Sequence, residues 1–248
     1  MIDYLAVFAN LEDPARHWDW RGQDHELRDA LYRSLEAEQA AAAAVALPGE
    51  APRILALAQS AFGDLRGLLA GLPDELLDLE PKPGEWALRK TLEHMLMVEL
   101  SFRANTRYAL SRADQDPLKT PLELRPTEAE VDVSGGVDEV LERFTMAREV
   151  TDTEFESVEN ERMLRPTLWG GAEVDVRFRL NRFGGHLAEH TVQCDKTLAW
   201  LGRGPGEARL ITRRISAARG LHERYSDPAL ISSLDEANRA LARSLQSA

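Results

Sequence analysis

The sequence predicts an all-α protein built on a four-helix bundle, with extra helices at its N- and C-terminal ends. Three observations point there. Apolar residues recur at spacings of three and four in four separate stretches, which puts each set on one side of a helix. Each stretch runs for roughly 17 to 22 residues, a usual length for a bundle helix. Proline and glycine punctuate the gaps between them. The 248 residues, 44 % hydrophobic and 29 % charged, are enough for a packed core.

Residues 1–50 form an N-terminal helical extension in this reading, with one long Ala- and Glu-rich helix from about Asp24 to Ala46. They carry ten acids against the four arginines Arg16, Arg21, Arg28 and Arg33. The first bundle helix follows from Ile54, Ala58, Ala61, Leu65, Leu68 and Leu72, and Pro73-Asp74-Glu75 breaks it. A tight turn at Pro81-Lys82-Pro83-Gly84 leads into the second, marked by Leu88, Leu92, Met95, Phe102 and Ala104 to Tyr108. Its stretch Met95-Leu96-Met97-Val98 is apolar on most sides, as in a buried central helix. Pro117, Pro121 and Pro126 make Ser111 to Ser134 a long crossing loop. The third helix runs through Val137, Leu141, Phe144, Thr151, Phe155 and Val158. Between it and the fourth, Val174 to Leu180 alternates with period two after Trp169-Gly170-Gly171, which allows a short extended arm partnered by Val131-Asp132-Val133. Phe183, Leu187, His190, Cys194, Leu198 and Leu201 define the fourth helix, with Gly202 as its C-cap. The bundle thus spans residues 51–203. Residues 204–248 are expected to be a C-terminal helical hairpin packed on it, divided near Ser226-Asp227-Pro228. Seven arginines against five acids make this end basic. The two flanks can then dock on each other, or both can be solvated faces.

Forty-two acids against thirty bases give a net charge of −12, which argues against a nucleic-acid partner. A single cysteine, Cys194, precludes an intramolecular disulfide and fits a reducing compartment. The longest uncharged run, Gln39 to Gly49, is too short for a membrane span, and Met1-Ile2-Asp3 lacks the basic region of a signal peptide. A cytoplasmic location with no membrane partner is expected. No phosphate loop, dinucleotide fingerprint, nucleophile elbow or H-E-x-x-H motif occurs, and no histidine follows a glutamate by three positions.

What remains is a histidine constellation. His186 and His190 are four apart, so a helix carries both rings on one side, the apolar one that also bears Phe183, Leu187, Cys194 and Leu198. His94 lies in the most apolar part of the second helix. Helices two and four of an antiparallel bundle can bring all three rings together. Such a group would hold a metal with open positions, and its bound water or thiol would lose a proton easily. The competing reading is of buried histidines satisfied by hydrogen bonds.

Glu93 and Glu189 neighbour these histidines but point about 100° away around the helix, so they read as supporting or surface groups. Glu99 lies on the inward side, although a solvated carboxylate is the better reading. Cys194, one turn past His190, reads as a buried structural thiol rather than a ligand. Trp86 reads as a core anchor and His222 as a surface residue. His17, Trp18, Trp20 and His25 form an aromatic and polar cluster that packs on the bundle or caps a pocket. Trp169-Gly170-Gly171 either lines the mouth of the site or makes a structural turn.

Leu72 to Leu77, then Pro83-Gly84-Glu85-Trp86-Ala87-Leu88 through His94-Met95 and Glu99, resembles the first half of the DinB-like (YfiT-like) superfamily. Arg182-Phe183-Gly184-Gly185-His186-Leu187-Ala188-Glu189-His190-Thr191-Val192-Gln193 resembles its second half. The resemblance covers about residues 51–203. It implies a four-helix bundle holding a divalent metal ion, commonly nickel or zinc, on His94, His186 and His190, and frequent homodimers. Members of that family include thiol-dependent S-transferases, a mycothiol-dependent isomerase and proposed metal-dependent hydrolases. The two flanks and the long loop depart from its short pattern. The expectation is a metal-dependent transferase of a low-molecular-weight thiol, or a hydrolase, acting on a small molecule. The alternative is a non-catalytic helical interaction module with a structural metal or none.

Overall fold

A computed structural model describes residues 3–20 and 22–247; Met1 and Ile2, used in the reading of the N-terminus, and Arg21, used in that of charge, lie outside the described residues, as does Ala248. The four predicted stripes are four helices, α3 (Glu50–Leu69), α4 (Leu88–Ser111), α5 (Val137–Phe155) and α6 (Val176–Trp200). They close a bundle in which α6 touches α3 and α4, and α5 touches the same two. Phe62, Leu65, Leu92, Met95, Phe144, Leu187 and Leu198 interlock in its main core. Phe102, Phe155, Leu180 and Phe183 fill a second cluster.

Local chemistry sets the ends. Asp74, part of the predicted break after α3, accepts from the Val137 amide at 2.8 Å and so caps α5 from a distance. Asp175 Oδ1 accepts from the Phe178 amide at 2.7 Å and starts α6. Gly202, at φ +73°, ends α6: its amide donates to Ala199 O and that of Arg203 to Leu198 O, a Schellman closure.

Before the bundle come α1 (Tyr4–Ala9) and α2 (Leu27–Ala44), and after it α7 (Glu207–His222) and α8 (Pro228–Ser247). Helix α2 starts three residues later than predicted, because His17–Trp20 (β1) and Gln23–Glu26 (β2) pair as an antiparallel hairpin. The aromatic cluster of the N-terminal flank therefore sits on this hairpin, with Trp18 stacked on Trp20 at 5.9 Å and His25 edge-on to Trp20 at 5.5 Å. A second hairpin corrects the expected arm. Ala172–Asp175 (β4) pairs with Pro166–Trp169 (β3), not with Val131-Asp132-Val133, and Val176 onward is helix. Gly170 and Gly171, at φ +55° and +91°, supply the two left-handed residues that a tight two-residue hairpin turn demands.

The flanks dock on each other and on α3. Helix α7 lies along α3 and α2, while α8 lies against α1 and α2. At the α3–α7 seam the backbones nearly touch: a Cβ on Gly67 would stand 2.6 Å from Arg213 Cα. His222, read as a surface residue, is fully buried where α7 meets α2. Its Nε2 meets Glu38 Oε2 at 2.8 Å and its Nδ1 meets Ser226 Oγ at 2.9 Å. Glu38, equally buried, also accepts from Asn238 at 3.2 Å and from Arg219 at 3.4 Å. Opposite charges from the two ends thus meet inside the protein. Among the described residues, no helix is long and apolar enough to cross a membrane.

Candidate metal centre

Helices α4 and α6 are neighbours, so the His94 side chain reaches the face of α6 that carries His186 and His190. One ring nitrogen from each of the three lies within 4.8 Å of the others. His94 Nε2 and His186 Nε2 are 3.3 Å apart. The ring centroids of His186 and His190 are 4.3 Å apart, and those of His94 and His190 4.7 Å. Two nitrogens bound to one tetrahedral zinc-like ion would be separated by about 3.3 Å. The His94–His186 pair already has that spacing, and with the third nitrogen within 4.8 Å the donor set suits a divalent cation.

Electrostatics agree with the geometry. Burial, aided by the charges of His190 and His94, pushes the His186 pKa down to about 3. Burial and His190 likewise lower that of His94. Both rings are neutral at pH 7, as metal-binding imidazoles must be. His190 Nδ1–H donates to Gln193 Oε1 at 2.7 Å. The amide oxygen can only accept, so that bond calls for the ring proton on Nδ1 and leaves Nε2 as the nitrogen for a metal. The orienting role of Gln193 was not read from the sequence, although its place three residues after His190 on the same helix is the signal that could have shown it. His186 is buried, while His94 and His190 keep partial exposure, so the cluster opens on their side.

Two aromatic rings frame it. Phe102 packs edge-on to His186 at 5.6 Å. Trp86 stands 5.5 Å from His94. At 41 % exposure Trp86 is no core anchor: the turn before α4 leaves it at the surface, tilted against His94. Trp169 touches Phe102 at 5.0 Å and so reaches the histidines through that ring.

The remaining candidates take other places. Glu93 pairs with Lys90 and Glu189 with Arg182, both outside the three-ring group. Glu99 is not solvated: it is 3 % exposed and accepts from Arg148 at 2.9 Å and from Thr151 at 2.7 Å. Cys194 is fully buried in the main core, and burial pushes its thiol up to about 12. It should stay silent to a disulfide reagent at pH 8 in the native protein and react as one thiol per chain once unfolded. Rapid native labelling would contradict that.

A family model described as the DinB superfamily matches residues 56–194. None of the curated proteins matches. Among solved structures, one similar chain is YfiT from Bacillus subtilis, described as a probable metal-dependent hydrolase with an unusual four-helix bundle topology. It is 12 % identical, and the alignment covers 78 % of this chain and 98 % of that one, at a TM-score of 0.46. The family match spans more than half of the sequence and includes all three histidines; the chain belongs to the DinB superfamily.

Proposed function

We propose that the protein is a divalent-metal-dependent enzyme acting on a small molecule, as a hydrolase or as a transferase of a low-molecular-weight thiol. The convergence of three imidazole nitrogens within 4.8 Å carries this reading. His94, His186 and His190 would hold the ion, with nickel or zinc as the metals of choice. When bound, such an ion keeps its full charge beside neutral ligands, eases proton loss from water or a thiol, and polarises an electrophile.

The protein's own groups do the rest. Gln193 holds His190 in the tautomer that offers Nε2. Phe102 and Trp86 give the site apolar walls that favour an organic substrate. A purely structural ion is less well served, because closed structural sites take four protein ligands. Among the described residues, the group that could hold a metal contains three. In this proposal residues 51–203 carry the site, the family's homodimeric habit extends to this chain, and the single cysteine favours a cytoplasmic place for it.

Elemental analysis of protein purified without a histidine tag tests the reading. About one divalent ion per chain is expected, with chelator-sensitive turnover in a panel of thiols and electrophiles. Less than about a tenth of an ion per chain, together with unchanged stability after chelation, would end it.

A further inference from the structure

Beside the histidine cluster lies a recess of about 540 Å³. Helix α4, the crossing segment 118–125 and the β3–β4 hairpin bound it. Phe102, the ring that packs on His186, lines it as well. Trp169, Leu118 and Leu168 extend the apolar wall.

The charged lining is Lys119, Arg125 and Arg179, with no aspartate or glutamate, on a chain whose net charge is −12. Arg179 is only 6 % exposed. Its guanidinium donates to Thr167 Oγ1 and to the Leu168 carbonyl, both neutral. Arg125 donates to the Thr120 carbonyl at 3.0 Å, and its Nε is buried without a partner. Among the described residues neither arginine forms an ion pair with a carboxylate. The charge acting on Arg179 is that of Arg125, which adds to burial in lowering its pKa to about 10. Most other buried arginines are charge-paired or more fully bonded; Arg112, also without a carboxylate, donates to the carbonyls of Ala113, Asp114, Asp116 and Pro166. Buried Arg148 faces Glu99 and Asp152, and buried Arg219 faces Glu38 and Asp235. Arg209, which lacks a carboxylate, is filled instead by the oxygens of Leu68, Ala70 and Asn10.

A buried guanidinium without a counter-charge is costly, and its planar fork matches a carboxylate or a phosphate. The aromatic wall suits a flat apolar body attached to that group. We propose that this recess binds the carboxylate or phosphate group of a small organic anion, with Arg179 and Arg125 as its anchor. Regarding that anion as the substrate rests on the catalytic reading above; the binding itself does not.

Calorimetry on the chelator-treated full chain tests it, with benzoate, phenyl phosphate and neutral benzyl alcohol as probes. Saturable binding of benzoate or phenyl phosphate is expected, with none of benzyl alcohol. The preferred anion tells carboxylate from phosphate. Arg125→Gln, in the loop, should weaken binding by about tenfold or more without lowering the melting temperature. Arg179→Met should do the same; if that variant fails to fold, Arg125→Gln decides. No saturable binding of either anion, equal binding of benzyl alcohol, or undiminished binding by Arg125→Gln would overturn the proposal. A chain that binds the anion but never holds a metal loses only the catalytic reading. One that holds a metal but binds no anion loses only the anchor.

Discussion

Replacing His186 with alanine is expected to abolish stoichiometric metal binding and, with it, the ion-dependent part of thermal stability. His186 is the most buried of the three rings, and its Nε2 lies 3.3 Å from that of His94. Removing it leaves two ligands on different helices. An ion present at a thousand times its dissociation constant stabilises a folded chain by about 4 kcal/mol. The wild type should therefore melt several degrees higher with metal than with chelator, and His186→Ala should melt at one temperature in both. Comparing each protein with itself cancels the cavity that the alanine leaves. Gln193→Ala supplies a graded control: it keeps all three rings but frees His190 to turn, and should weaken metal binding by about 10- to 100-fold. A His186→Ala chain that still held one ion would refute the assignment.

The second large effect is expected at a buried ion cluster in the bundle. Arg148 is completely buried between two carboxylates, Glu99 on α4 and Asp152 one turn along α5, with Phe183 beneath it at 5.6 Å. Arg148→Met preserves much of the bulk but strands two acids without their cation. Breaking a buried pair in this way costs about 3–5 kcal/mol. The loss should depend on pH in a defined direction. Burial already raises Asp152 to about 6 in the folded protein, above its ordinary value of 3.8. The folded state thus takes up a proton before the unfolded chain does, so this group favours folding increasingly as pH falls from about 6 towards 4. Without Arg148, whose charge opposes that rise, the gain on acidification should begin at higher pH. Urea melts of the variant at pH 8 and pH 5 measure it. A variant as stable as wild type at pH 8 would show that the pair contributes nothing.

The bundle was legible because its signal is local. Ile54, Ala58, Leu65 and Leu68 repeat at helical spacing and their burial follows from that spacing. His186 and His190 were legible for the same reason. Pairing them with His94 needed more, since the residues are 92 positions apart along the chain and the family resemblance bridged that gap. Misreadings came where a residue's partner is remote. His222 looks like a surface residue among Arg219 and Arg224, yet its partner Glu38 is 184 positions away. Glu99 looks solvated until Arg148 is placed beside it. The β1–β2 hairpin escaped because His17-Trp18-Asp19-Trp20 is four residues long and merges into helical sequence. Near Trp169 the alternation marks an extended arm but not its partner, which is the neighbouring stretch Pro166–Trp169 and not Val131-Asp132-Val133.

The glycine seam between α3 and α7 bears on where this protein can be cut. Gln59, Asp64 and Arg66 on α3 spend their hydrogen bonds on Glu223, Arg213 and Ser216. Gly63 and Gly67 leave α3 too bare on that side to shield itself from water once α7 is gone. Packing therefore does not stop where the family match stops at residue 194, because α7 beyond it is needed to cover α3.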